Sequence, residues 1–297
     1  MAIISPGRWM AGEELDTAAA RLKEFGFRVH LHPQNFLRQH QFAGTVEERL
    51  NALHDVFKDK DVRAVMLAKA GYGALHLLDS IDDVIIANNP KILVGYSDAT
   101  ALLMALFLKV GLVTFHGPML YDLRNGADHK TWQWFQEILL QGGSVRLDTA
   151  SVPQIRVLRP GSGAGQLLGG NLTLLTHLIG TSTDFDSTDR ILFLEDYDEK
   201  LYALDRLMLH LRRAGKLQRL QGLLIGEMHK IADDQIPFGQ SVDEIVMSHC
   251  SGTHFPIISN CPFGHGAHQL ILPIGIPAAL SADAASFEFE SLCPAVS

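Results

Sequence analysis

The stretch Lys91-Ile92-Leu93-Val94-Gly95-Tyr96-Ser97-Asp98-Ala99-Thr100 runs directly into the apolar segment Ala101–Val113. Ile92–Val94 reads as the end of a buried strand, Gly95-Tyr96 as a tight turn, and the residues after Thr100 as an apolar helix. A serine at such a junction has two readings. It is a helix cap, since Ser and Asp before a helix commonly satisfy free N–H groups. Or it is a nucleophile raised on a strand-to-helix turn, with backbone N–H groups aimed at developing negative charge. The general elbow carries glycine two residues before and two after the serine. Gly95 meets the first condition and Ala99 does not meet the second.

Working outward, strands and helices alternate through the first half. Ala2–Ser5 reads as a strand, Ser5-Pro6-Gly7 as a turn, and Glu13–Phe25 repeats apolar residues at helical spacing before Gly26. Phe27–Leu31 reads as a second strand. Thr45 and Glu48 have capping-box spacing for a helix to Phe57. Val62–Leu67 is a further strand and Leu75–Asp82 a short helix. Strand–helix alternation predicts a parallel sheet of Rossmann or flavodoxin-like type, with ligands at the carboxyl ends of its strands. After Gly142 the pattern changes. Val145–Gly165 is rich in Pro and Gly without helical period, and strands Ile191–Leu194, Leu223–Gly226 and Ile257-Ile258 follow around a helix through Leu204–Leu211. This predicts an α/β domain over residues 1–150, a linker over 151–165 and a C-terminal domain over 166–297.

Bulk properties narrow the function. The chain has 297 residues, 47% hydrophobic and 20% charged, with net charge -8, which disfavours nucleic acid as a partner. Three dispersed cysteines, Cys250, Cys261 and Cys293, suit a reducing compartment rather than a disulfide framework. Lys109 interrupts the longest apolar run, which falls short of the roughly 20 residues a membrane helix needs. The N-terminal residues lack the pattern of a signal peptide, so a cytoplasmic location is expected.

A nucleophilic Ser97 requires a base and a group to orient it. Fourteen histidines leave the choice open, but His265 lies in the glycine-flanked loop Pro262-Phe263-Gly264-His265-Gly266. With His268 it could instead form a metal pair, for which no third ligand is evident, or it is an ordinary loop histidine. The orienting acid could be Glu195 or Asp196, both at the end of Ile191–Leu194; spacing does not separate them, and either could cap the next helix. Gly71-Tyr72-Gly73-Ala74 follows another strand and could bring backbone N–H groups to an oxyanion, or serve only as a turn. It is no dinucleotide fingerprint, because His76 stands where a third glycine belongs. Asn171 after Gly169-Gly170 reads as a helix cap.

In order, GYGA at 71–74, GYSDAT at 95–100, FHGPM at 115–119, LLGGNLTLL at 167–175, ILFLEDYDEKLYALDRLMLHL at 191–211 and FGHG at 263–266 resemble the LD-carboxypeptidase family, muramoyl-tetrapeptide carboxypeptidases and microcin-immunity-type relatives. The Arg38–Arg49 stretch resembles the family's early ligand-facing loop. The resemblance implies a serine carboxypeptidase cleaving the L,D amide between meso-diaminopimelate and terminal D-alanine of murein tetrapeptides, in peptidoglycan recycling. Cleavage of microcin-type peptidyl-nucleotides and a non-catalytic module are the alternatives. It also implies a smaller, β-rich, barrel-like C-terminal domain, a homodimer, and no cofactor or metal. It places the nucleophile on Ser97, the acid on Glu195, the base on His265, and the oxyanion donors on the backbone of Gly73 and Asp98. Tyr72, Arg49 and Arg206 are substrate-binding candidates from the matched segments. Lys69-Ala70 stand where the family usually carries Arg-Gly.

Overall fold

A computed structural model describes residues 1–126, 128–141, 143–148, 152, 154–283 and 286–291. Part of the region read as the domain junction, residues 149–151 and 153, lies outside the described residues, as does Cys293.

In chain order the elements are β1 (Ala2–Ile4), α1 (Gly12–Glu24), β2 (His30–Leu31), α2 (Val46–Lys58), β3 (Ala64–Leu67), α3 (Asp83–Asn88), β4 (Ile92–Gly95), α4 (Thr100–Val110), β5 (Thr114–His116) and α5 (His129–Gln136). They continue with β6 (Gly143–Asp148), β7 (Arg156–Arg159), β8 (Ser162–Asn171), α6 (Leu172–Leu178), β9 (Arg190–Tyr197), α7 (Leu201–Arg213), β10 (Gly222–His229) and α8 (Val242–His249). The last strands are β11 (Ile257–Gly264), β12 (Leu272–Ile274), β13 (Pro277–Ser281) and β14 (Ser286–Ser291). Two compact units result: Met1–Trp134 with Ile271–Ile274, and Phe135–Leu270 with Gly275–Ser297.

The first unit is an α/β domain on a sheet of order β12-β5-β4-β3-β1-β2. β2, β1, β3, β4 and β5 are mutually parallel, and β12 closes the edge antiparallel to β5. Strands covered on both faces need continuous apolar runs, and Ala2–Ile4 and Val65–Leu67 are buried accordingly. Helix α2 begins at the expected capping box: Thr45 Oγ1 accepts from the Glu48 N–H at 3.1 Å, and Glu48 Oε2 accepts from the Thr45 N–H at 2.7 Å. Helix α4 is buried from Thr100 to Leu106, which is why its sequence is apolar on every face. Each crossover returns the chain so that the loops after β1, β3, β4 and β5 leave the same end of the sheet.

The second unit is a curled half-barrel sheet of order β6-β14-β13-β8-β9-β10-β11-β7. Its centre is parallel: β8, β9, β10 and β11 run together, with helices between successive strands. The flanking β13, β14, β6 and β7 pair antiparallel. Thus half of this sheet is itself built from strand–helix–strand units. The sequence shows that only as isolated apolar runs, because β9–β11 are buried rather than alternating in polarity.

Candidate active site

Ser97 stands two residues beyond the end of β4, after Tyr96, and has φ +62, a left-handed conformation costly for a residue with a Cβ. It opens the 3-10 turn Ser97–Ala99 that leads into α4. The residues at the two cap positions are Tyr96 and Ala99, so Ser97 does not cap α4. Of the two sequence readings, this backbone has the form of the raised strand-to-helix turn. Tyr96 is held from the side by its hydroxyl, which donates to Asp122 Oδ1 at 3.0 Å.

Around this turn the first unit builds a buried network. The Asp98 carboxylate is almost fully enclosed, and its Oδ2 accepts from the Ala74 N–H at 2.9 Å. Burial pushes its pKa above the ordinary carboxylate value, while the N–H groups of Ala74 and Gly73 and the charge of Arg49 act in the opposite direction. Sequence reading assigned Asp98 only a backbone role; its side chain also ties the Ser97 turn to the Gly71–Gly73 loop. Arg49, buried on α2, donates from Nη1 to the carbonyls of Pro6 (2.5 Å) and Gly73 (2.9 Å). It thereby joins a third loop, Ser5–Gly7, to the other two. Gly73 has φ +130, and a Cβ there would stand 2.8 Å from Arg49 Nη1. Tyr72 is exposed; its hydroxyl lies 3.2 Å from His76 Nε2 and its ring 5.9 Å from that of Phe42.

In the second unit the structure brings Glu195 and His265 together: His265 Nδ1 is 2.7 Å from Glu195 Oε2. A carboxylate only accepts, so Nδ1 carries the proton and Nε2 is the basic nitrogen. Glu195 has no solvent exposure. Gly264, with φ +100, permits the approach, because a Cβ there would sit 2.8 Å from Glu195 Oε2. Asp196 points to the other face of β9, as alternation along a strand requires. It accepts from Asn171 Nδ2 (2.9 Å), the Thr173 N–H (3.0 Å) and Thr173 Oγ1 (2.9 Å) at the start of α6. Asn171 is the cap of α6, accepting from the Leu174 N–H at 3.1 Å. Burial, then the neighbouring Glu195 charge, push Asp196 up to about 6.

Two neighbours of His265 escaped sequence reading. The Tyr197 ring stacks on the imidazole, centroids 4.6 Å apart, and on His229 at 5.8 Å, while Lys230 Nζ donates to its hydroxyl at 2.7 Å. The signal was present in principle: Tyr197 is two residues from Glu195 and shares its strand face. Glu227 approaches Gly266, where a Cβ would stand 1.9 Å from its Oε2. Burial raises its pKa, against the influence of His229, His268 and the Ala267 N–H. Arg206 is exposed on α7, its guanidinium 5.7 Å from the Tyr202 ring. Among the described residues, no group of three His, Cys, Asp or Glu side chains could hold a metal ion.

Two family models match the chain: the LD-carboxypeptidase N-terminal domain over residues 1–117 and its C-terminal domain over 164–280. A Bacillus subtilis protein described as a probable murein peptide carboxypeptidase is 34% identical over 281 residues, covering 94% of this chain and 88% of its own. The chain belongs to the LD-carboxypeptidase family. A murein tetrapeptide carboxypeptidase of Pseudomonas aeruginosa is 29% identical over 286 residues, 94% of this chain and 92% of the relative. The crystal structure of a muramoyltetrapeptide carboxypeptidase from Oxalobacter formigenes superimposes with TM-score 0.87 and 29% identity, covering 98% of this chain and 99% of the other. No helix among the described residues is long and apolar enough to cross a membrane.

Proposed function

We propose that this LD-carboxypeptidase family member is a serine carboxypeptidase that removes terminal D-alanine from murein tetrapeptides. The observation that carries the reading is the bond from His265 Nδ1 to the enclosed Glu195 carboxylate, which leaves Nε2 as a base. The named activities of the Bacillus and Pseudomonas relatives support the substrate class.

In this mechanism Ser97 Oγ attacks the carbonyl carbon on the L-centre of meso-diaminopimelate while His265 Nε2 takes its proton. Glu195 holds the ring and stabilises the imidazolium. The backbone N–H groups of Gly73 and Asp98 receive the oxyanion, each worth roughly 3 kcal/mol in the transition state. The C–N bond breaks, His265 protonates the departing amine of D-alanine, and water then enters by the same base to release the acyl group. The Asp98 carboxylate and Arg49 support the reaction from behind by fixing the loop that carries Gly73. The working protein is a cytoplasmic homodimer acting on recycled wall peptides.

The test is to incubate the protein with a murein tetrapeptide and follow D-alanine by mass. Release that disappears in Ser97→Ala is expected; undiminished release by that variant, or none by the unaltered protein, overturns the proposal.

A further inference from the structure

Positive charge collects at one point of the first unit, outside the residues assigned above. Lys69 leaves the carboxyl end of β3, and its Nζ stands 4.3 Å from the centre of the Tyr121 ring. The same ring carries the Arg124 guanidinium at 3.5 Å, and Arg124 Nη1 donates to the Tyr121 carbonyl at 3.0 Å. Tyr121 is fixed in turn by its N–H, which donates to the Ala68 carbonyl at 2.9 Å. Arg8 arrives from the loop after β1. Its N–H donates to the Ala70 carbonyl at 3.3 Å, and its stem lies along Gly71, with Cδ 2.6 Å from where a Cβ would stand.

Among the described residues, Lys69, Arg8 and Arg124 have no carboxylate within ion-pair distance. Half-burial lowers the pKa of Lys69; Glu14, in the first turn of α1, acts the other way, and Arg124 and Arg8 lower it further. Lys69 and Arg124 are half-buried and Arg8 is exposed. Gathering like charges where two of them are partly desolvated opposes folding, and the ring face offsets only about 1 kcal/mol for each of Lys69 and Arg124. An anion arriving there would relieve that repulsion and gain charge-assisted hydrogen bonds. The place is also right: the loops bearing Arg8 and Lys69 leave the carboxyl ends of β1 and β3, and β3 pairs directly with β4, whose carboxyl end leads into the Ser97 turn.

We propose that Lys69, Arg8 and Arg124 form an anion subsite that takes a carboxylate of the acidic peptide substrate. This rests on the reading of the protein as a peptidase, so the experiment separates the two. Lys69→Met is compared with the unaltered enzyme on the murein tetrapeptide and on three analogues, each with a different carboxylate amidated. Lys69→Met should raise KM about tenfold with kcat within about twofold, and Lys69→Arg should recover most of the loss. The analogue amidated at the recognised carboxylate should show the same rise with unaltered enzyme and no further rise with Lys69→Met, which tells the terminal carboxylate from the internal ones. Calorimetry in a Ser97→Ala background should give about tenfold weaker tetrapeptide binding once Lys69→Met is added.

Equal KM values for Lys69→Met and unaltered enzyme on every peptide, with D-alanine released, overturn the subsite and leave the peptidase standing. Lys69-dependent binding without D-alanine release supports the subsite and overturns the activity. Absence of binding and release together overturns both.

Discussion

His265 Nδ1 and Glu195 Oε2 lie 2.7 Å apart, joining a loop histidine to a fully enclosed carboxylate seventy residues earlier in the chain. Glutamate there fixes both the tautomer and the plane of the ring. Glu195→Gln keeps the shape, removes the charge, and lets the amide present a donor to Nδ1. It should lower kcat by about 10^3–10^4-fold with little change in KM. Steady-state kinetics on the tetrapeptide, with circular dichroism to confirm folding, decides; a loss under tenfold would show that the pair is not part of the chemistry.

Tyr197 stacks on the same imidazole from the strand that carries Glu195. Leucine would leave the Nδ1 bond but free one face of the ring. Tyr197→Leu should therefore reduce kcat about three- to tenfold, while Tyr197→Phe, which keeps the stack and loses only the Lys230 bond, stays within twofold. Alongside the kinetics, the ring-proton resonances of His265 should move in Tyr197→Leu and stay in place in Tyr197→Phe. Unmoved resonances in both variants would argue against the stack in solution.

Arg49 holds two carbonyls from inside the fold, on Pro6 and Gly73. Arg49→Met strands both acceptors and removes the cation near the Asp98 carboxylate. Destabilisation of about 2–4 kcal/mol is expected by denaturant unfolding, together with a fall in kcat as the Gly73 loop loosens. A substrate-binding role alone would raise KM and leave the unfolding midpoint where it was.

Asp196 supplies a pH test with an uncommon sign. Its folded pKa, about 6, lies above its ordinary 3.8, so the folded state holds this proton more tightly than the unfolded chain. Its favourable contribution is complete below pH 3.8 and is lost as pH rises towards 6. Asp196→Asn, which imitates the protonated acid, lacks that slope. The stability of the unaltered protein minus that of Asp196→Asn should fall by roughly 2–3 kcal/mol between pH 4 and pH 7. Urea titrations across that range measure it, and a difference that grows with pH would contradict the assignment.

Much of this was legible in the chain itself. The Thr45–Glu48 capping box, the Asn171 cap and the turn at Ser97 are local arrangements fixed by residues within a few positions of one another. The parallel sheet of the first unit followed from strand–helix alternation, because connection chirality and burial leave little choice. The family's motifs lie along most of the sequence and carried the identity.

Spacing left two neighbouring acids open, the family resemblance pointed to Glu195, and tertiary structure supplied the physical reason. Glu195 and Asp196 are adjacent acids at the end of a strong strand; alternation sends them to opposite faces, but only packing against Gly264 and α6 determines which one meets His265. The parallel centre of the second sheet was hidden because buried strands carry no polar alternation to reveal their partners. Arg49 reads in the sequence as a ligand-facing cation; its depth and its bonds to two carbonyls appear only in the folded chain. Lys69, Arg8 and Arg124 are far apart in sequence, and no local pattern says that three loops gather them. Contacts between distant residues depend on how strands are ordered and loops are closed, and a sequence read by itself determines those only in sum.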